Sequence, residues 1–324
     1  MAKDRFSREI DYLRISITDK CNLGCTYCMP QMKPKTFKPD EVLTGEEILR
    51  IVRVARGLGV HKVRLTGGEP LVRDDILELV KGIKDTGVPD LSLTTNGMFL
   101  EKLAAPLKEA GLNRLNISLD SMRPDRFREI TGCGELAKAL AGIEEAERVG
   151  LAPIKLNIVP VRGMNDDEVV DFARMTLDRP VHVRFIELMP SRGDWEDEKC
   201  VKSAEIQERI EKELGPLEKR TFKGRGPSRN FTLEGSRGVI GFISAVSHSF
   251  CYVCNRLRVT AVGKVRPCLF SKTEIDLLGP MREGADDEEV IRLFKLAIDS
   301  KPEGNYLKDP AKSDAIDSMS SIGG

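Results

Sequence analysis

Neither sign of charge prevails in this sequence: 51 Lys and Arg offset 51 Asp and Glu, and the formal net charge is zero. A chain with no basic surplus has no global field to recruit nucleic acid or an anionic membrane, so any anion must be bound locally. Long apolar runs are also missing. None approaches the roughly 18 residues that cross a bilayer, and Met1 to Lys20 is studded with charge where a signal peptide needs an apolar stretch. The expectation is a cytoplasmic protein with no membrane and no nucleic-acid partner. No low-complexity segment or long linker divides the chain, and 324 residues with 40% hydrophobic content provide for a large core.

What the sequence has is a repeated grammar. Six β-rich runs, 12–18, 61–66, 90–95, 113–119, 154–159 and 182–188, alternate with amphipathic helical segments. The first helix opens on a capping box, Thr44 with Glu47, and stops at Gly57 and Gly59; others are predicted over 75–86, 99–110, 135–149 and 166–178. Strand, helix, strand implies parallel strands with right-handed crossovers, in either an open doubly wound sheet or a barrel. Six units are too few for a closed eight-stranded barrel, so the fold class is α/β, a partial (β/α)6 TIM-like barrel.

Parity within the strands says more than their number. Buried parallel strands usually read as continuous apolar runs, but these alternate: Leu13, Ile15 and Ile17 oppose Arg14, Ser16 and Thr18, and Val63 and Leu65 oppose Arg64 and Thr66. The apolar parity must face the helices, which turns Arg14, Arg64, Lys155 and Arg184 toward the lumen. Unpaired buried cations are costly. Either acidic neighbours neutralise them or the lumen receives a polyanion. After Leu188 the pattern changes to a helix at 202–214, a basic Gly-rich stretch from Lys223 to Arg229, short β-like runs and a polar tail. The expected division is a barrel over 1–215 and a C-terminal region over 216–324 packed on the barrel mouth.

Six of the eight cysteines form two triplets, Cys21, Cys25, Cys28 and Cys251, Cys254, Cys268. The first follows a strand end, where ligand loops of parallel α/β folds lie. A structural zinc site wants a fourth ligand, and no His or fourth Cys is near in sequence; an iron–sulfur cluster with one open iron fits three thiolates. The second triplet has His248 three residues before Cys251, so on spacing alone a three-Cys, one-His zinc ribbon is the favoured reading.

Cys-x3-Cys-x2-Cys with Tyr27 before its last Cys resembles the signature of radical S-adenosylmethionine (SAM) enzymes, and Gly67-Gly68-Glu69-Pro70 is similar to their motif that holds the SAM amino group. The strings FCYVC and CNRLRVTAVGKVRPCLF around the second triplet, with DYLRISITDKCNLGCTYCMP, RLTGGEP, LTTNG, NISLD and the terminal IGG, resemble the GTP 3′,8-cyclases of molybdenum-cofactor biosynthesis over nearly the whole chain.

The resemblance implies a lyase that converts GTP into (8S)-3′,8-cyclo-7,8-dihydroguanosine 5′-triphosphate through a 5′-deoxyadenosyl radical, with two 4Fe-4S clusters and SAM as cofactors. It assigns Cys21, Cys25 and Cys28 to the SAM cluster, and Tyr27, Gly68, Ser118 and Met189 to SAM contacts, with Glu69 in the amino-group motif. Arg14, Arg64, Thr95 and Lys155 are assigned to GTP; Arg184 joins them on parity. Cys251, Cys254 and Cys268 would hold a second cluster whose open iron meets the guanine, with Arg256, Leu257 and Arg258 beside it. The tail with Gly323 and Gly324 is expected to enter the active site. An unidentified electron donor, a homodimeric assembly and hand-over of the product to a cyclic pyranopterin synthase complete the expectation. Cys133 and Cys200 read as ordinary thiols, and Asn305 stands where the family often has His. Two rivals are a peptide-modifying enzyme with two clusters, which would not need converging lumen cations, and a zinc module contacting RNA, which would be colourless where clusters are brown.

Overall fold

The computed structural model of the chain describes residues 1–28, 37–189, 197–222 and 226–304. Six parallel neighbours form the centre of one sheet: β1 (Tyr12–Ser16), β2 (Lys62–Thr66), β3 (Asp90–Thr95), β4 (Arg114–Ser118), β5 (Lys155–Ile158) and β6 (His182–Ile186). They match the six expected runs, trimmed at their ends. Between them run α1 (Gly45–Gly57), α2 (Ile76–Asp85), α3 (Leu100–Glu109), α4 (Pro124–Thr131), α5 (Leu136–Arg148) and α6 (Val169–Asp178), followed by α7 (Ser203–Leu214). The capping box of α1 forms as read, Thr44 accepting from the Glu47 amide and Glu47 from the Thr44 amide. Between the six central strands, α4 had no counterpart in the sequence; it starts on Pro124 and buries only Phe127, Ile130 and Thr131.

The chain past residue 215 continues the same sheet, at both of its edges. β7 (Glu218–Arg220) and β8 (Arg229–Thr232) lead into β9 (Val239–Ile243), which lies parallel beside β6; β10 (Arg256–Val259) lies parallel beside β1 and is followed by β11 (Lys264–Arg266) and β12 (Ile275–Asp276). The order is β12-β11-β10-β1-β2-β3-β4-β5-β6-β9-β8-β7, an open twelve-stranded sheet among the described residues. Two helices, α8 (Leu278–Arg282) and α9 (Asp287–Asp299), close the described chain, and α9 packs on α1.

Strand parity is as the alternation demands. Leu13, Ile15, Val63, Leu65, Leu91, Leu93, Val183 and Phe185 have no exposed surface and join one core with the inward faces of the helices. At roughly 1.5–3 kcal/mol per large side chain, this layer dominates the stability of the sheet. It leaves the opposite, polar parity free to serve the lumen.

Candidate active site

The loop carrying the first triplet is held by its neighbours' backbones. Gly68 donates to the Thr18 carbonyl and Glu69 to that of Lys20, each at 2.8 Å, so the Gly-Gly-Glu turn after β2 lies against the entry to Cys21. Only glycine fits there: a Cβ on Gly68 would stand 2.1 Å from the Lys20 carbonyl oxygen. The other flank is tied to the end of α4, Gly24 and Thr26 donating to Thr131 and Ile130 at 2.9 Å. Tyr27 donates to Asp120 at 2.6 Å, and Asp120 also accepts from the Val159 amide. Burial, together with the Asp120 charge, holds the Tyr27 phenol well above its usual range.

Glu69 is a latch inside this corner. It is 1% exposed and accepts from Leu71 N, Thr95 Oγ1 and Asn96 N. Burial pushes its carboxyl up to about 7 despite those donors. Thr95, expected at the substrate, is buried, gives its hydroxyl proton to Glu69 at 2.7 Å and accepts from the Gly97 amide. Its hydroxyl therefore joins the β3 loop to the Gly-Gly-Glu turn. Ser118 ends β4 in register with Asn157.

The lumen cations stand where parity put them. Arg14 is in register with Arg64 on one side and Arg258 on the other, while Lys155 pairs with Asn116 and His182, and Arg184 with Asn157. Among the described residues no carboxylate forms an ion pair with Arg14, Arg64, Lys155 or Arg184; the acidic partner that parity could not exclude goes instead to Arg114, which meets Asp90 at 2.6 Å. Arg64 reaches Ser92 at 3.3 Å and lies 5.6 Å from the Tyr12 ring centre. Arg14 Nε, Arg184 Nε, Asn116 Oδ1 and Asn157 Oδ1 are buried without a hydrogen-bond partner among the described residues. Burial, with repulsion from Arg184, Arg114 and Arg64, pushes the Lys155 ammonium down to about 6. Burial and neighbouring arginines likewise depress Arg184 to about 9. Crowded, desolvated and unneutralised cations suit an anion carrying several charges.

The second triplet lies beside this row. Cys251 opens a single 3-10 turn, Cys254 donates its amide to the Cys251 carbonyl at 3.1 Å, and Cys268 follows β11. Met189, beyond β6, packs with Cys268 against Leu269 and Phe270. Arg256 and Arg258 share a face of β10, in register with Tyr12 and Arg14. Leu257 between them turns its side chain into the core, 2% exposed, so its main chain is what it can offer a ligand. His248 is exposed, and among the described residues no three His, Cys, Asp or Glu side chains converge as ligands of one ion. Asn305, Gly323 and Gly324 lie outside the described residues, as do Lys223, Gly224 and Arg225 of the basic stretch.

Both triplets have the chemistry of cluster ligands. Burial, together with the Asp120 charge and then the neighbouring Cys28 and Cys21, pushes the Cys25 thiol up; Cys251 is raised by burial and by Cys268 and Cys254. Buried thiols such as Cys25 and Cys251 that resist ionising would be relieved by a polynuclear iron centre, which takes its cysteine ligands as thiolates. At Cys254 burial alone would raise the thiol, but Arg256 and Lys301 outweigh it and bring it down to about 6.

Comparison with known proteins agrees. Residues 15–176 match the Radical SAM superfamily, and residues 181–307 match Molybdenum Cofactor Synthesis C. A relative from Pelotomaculum thermopropionicum called GTP 3′,8-cyclase is 48% identical over 326 residues, covering 99% of this chain and all of the relative. The chain belongs to the GTP 3′,8-cyclase family. A second such cyclase, from Heliobacterium modesticaldum, is 47% identical over 331 residues and 99% of both chains. Membership makes this a radical SAM enzyme of molybdenum-cofactor biosynthesis with two 4Fe-4S clusters and SAM as cofactors. Streptococcus suis SuiB shares the fold with a TM-score of 0.61 at 17% identity, over 85% of this chain and 65% of that one. No helix among the described residues is long and apolar enough to cross a membrane.

Several residues of this family member escaped the sequence reading. Asp120, which anchors Tyr27, closes the NISLD segment, and Asp90, which absorbs Arg114, is an acidic residue at a strand start with no motif around it. Glu187, just past β6, accepts from Ser203 N, Val246 N and Ser247 N and so ties α7 to the loop that leads into Cys251. A lone acid in the apolar run FIEL was the available signal.

Proposed function

We propose that this chain cyclises GTP to (8S)-3′,8-cyclo-7,8-dihydroguanosine 5′-triphosphate, an early step of molybdenum-cofactor biosynthesis. The observation that carries the reading is the row Arg14, Arg64, Lys155 and Arg184, which no carboxylate neutralises among the described residues and which lies between two cysteine triplets. A triphosphate supplies the charge this row needs, through charge-assisted and bidentate hydrogen bonds.

Cys21, Cys25 and Cys28 would hold the first cluster and Cys251, Cys254 and Cys268 the second. When bound, the first cluster with SAM supplies a one-electron cleavage that yields a hydrogen-abstracting radical. The protein's own part is positioning and the exclusion of water. Tyr27, Gly68, Ser118 and Met189 line the SAM side, with Glu69 and Thr95 fixing the Gly-Gly turn. Arg14, Arg64, Lys155 and Arg184 orient the triphosphate. Arg256 and Arg258 flank the guanine, with the Leu257 main chain between them, and Gly323 and Gly324 complete the catalytic set. The reading takes the enzyme to be cytoplasmic and homodimeric, reduced by an external electron donor, with a cyclic pyranopterin synthase consuming its product.

Anaerobic incubation with GTP, SAM and a strong reductant is expected to yield 5′-deoxyadenosine and the cyclised nucleotide together. Formation of 5′-deoxyadenosine with GTP recovered unchanged would overturn the substrate assignment.

A further inference from the structure

Two cations outside the lumen hold the backbone around the second triplet. Lys301, just past α9, is 2% exposed, and its ammonium donates to the Arg256 carbonyl at 2.8 Å and the Pro267 carbonyl at 2.7 Å. Those carbonyls stand two residues after Cys254 and one before Cys268. Arg8, 6% exposed, reaches in from the other end of the chain: Nη1 donates to the Cys251 carbonyl at 2.8 Å and Nη2 to the Pro302 carbonyl at 2.6 Å. Every cysteine-bearing segment of the triplet thus hangs on one of two buried cations, and Arg8 also grips the residue next to Lys301.

The two cations differ in how they are neutralised. Arg8 pairs with Asp4 at 2.6 Å, as a structural clamp should. Lys301 has no carboxylate partner among the described residues. Carbonyls satisfy its protons without cancelling its charge, so its burial is expensive unless an anion stands nearby. Burial lowers the Lys301 ammonium, the negative charge of Cys254 and Cys268 works against that, and Arg256 and Arg8 add to it. A neutral asparagine amide could cross-link two carbonyls at lower cost. The choice of lysine therefore calls for an anionic object within reach of the two thiols.

We propose that Lys301 is a positioning residue for the second iron–sulfur cluster and sets its reduction potential, with Arg8 holding the Cys251 end of the same frame. The inference rests on the reading that Cys251, Cys254 and Cys268 hold that cluster. One-electron reduction by the external donor adds one negative charge to the cluster, and a fixed cation beside two of its ligands favours that state. Removing the cation must then lower the potential of this cluster.

The test uses the full chain carrying Cys21→Ala, Cys25→Ala and Cys28→Ala, in which only the second triplet can take iron. After anaerobic reconstitution, iron analysis and an EPR-monitored redox titration compare Lys301, Lys301→Met and Lys301→Arg. With Lys301 intact, about four irons per chain and a reducible signal are expected; their absence overturns the reading of the triplet, and this inference with it. With the cluster in place, Lys301→Met is expected to lower the equilibrium constant for reduction at least tenfold, about 59 mV for one electron, while Lys301→Arg keeps the parent value. An unchanged midpoint in Lys301→Met at full iron content overturns the proposal. Loss of iron from Lys301→Met and Lys301→Arg alike also overturns it, as the mark of a merely structural clamp. Loss from Lys301→Met alone overturns the claim on the potential as well, because a clamp whose hydrogen bonds arginine restores behaves in that way.

Discussion

Substrate binding should draw a proton from solvent, and Lys155 should be the group that takes it. In the ligand-free chain its ammonium is pushed down to about 6, first by burial and then by Arg184, Arg114 and Arg64. At pH 8 it is therefore neutral in almost every molecule. A triphosphate entering the row reverses the local charge and restores a pKa nearer the ordinary lysine value of about 10.4. Arg184, at about 9, and Arg258, at about 10, stay charged at pH 8, and His182, depressed to about 4, stays neutral. The nucleotide's own terminal phosphate, with a second pKa near 6, is already ionised. Uptake at pH 8 should approach one proton per GTP.

The sign follows from linkage. A group whose pKa is low in the free enzyme and high in the complex makes binding tightest at or below the free value, and affinity falls as pH rises toward the bound value. Between about pH 6.5 and 8, below the range where Arg184 titrates, the loss should approach tenfold per pH unit, or about 1.36 kcal/mol. Calorimetry of GTP binding at pH 8 in buffers of different ionisation enthalpy reads the uptake directly. Lys155→Met should abolish it and flatten the pH dependence. Uptake near zero in the parent enzyme, or equal uptake in Lys155→Met, would refute the account of this row.

Replacing Cys21, Cys25 and Cys28 with Ala should remove about half of the iron and all SAM cleavage; surviving cleavage would sink the assignment of the first triplet. Arg14→Ala and Arg64→Ala should each weaken GTP by roughly 1.5–3 kcal/mol while leaving SAM affinity near the parent value, and equal losses for both ligands would point to misfolding. Arg256→Ala and Arg258→Ala should lower cyclised product more than 5′-deoxyadenosine, which product analysis of single turnovers decides. Deleting Gly323 and Gly324 should leave both clusters intact by iron analysis and cut turnover severely, with partial rescue by a peptide of the tail sequence; full activity would remove both glycines from the catalytic set.

The strands and the lumen were legible because they rest on local pattern. Alternation in runs such as YLRIS and KVRLT fixes which side chains share a face, and that parity turned Arg14 and Arg64 to the same side, while their pairing in register comes from the fold. The helix α4 was hidden because its sequence, PDRFREIT, has too few apolar residues for periodicity to register. The C-terminal strands were harder still. VIGFI reads as a buried strand of some kind, but nothing local says that it lies against β6 or that β10 lies against β1. The partners that set the site's chemistry were illegible for the same reason. Tyr27 meets Asp120 and Arg8 meets Cys251 across long stretches of chain, joined by the fold and by no pattern in the sequence.

The placement of β10 bears on how this row of cations works. Arg258, Arg14 and Arg64 occupy one register row across three adjacent parallel strands, although Arg258 lies 194 residues after Arg64 and 244 after Arg14. Each is then a near neighbour of the next, and Arg14 in the middle is held well below the usual arginine range, by burial first and then by Arg258 and Arg64. Such a row opposes folding, and the apolar parity of the same strands has to offset it. The repulsion is also a store of binding free energy, because an anion that bridges neighbouring guanidiniums both gains its own hydrogen bonds and removes their mutual cost. Charges coupled in this way do not contribute independently: removing Arg14 should relieve Arg64 and Arg258, so the double change Arg14→Ala with Arg64→Ala should cost less than the two single losses added together. The same coupling favours a triphosphate over a monophosphate, since only the longer anion spans the row.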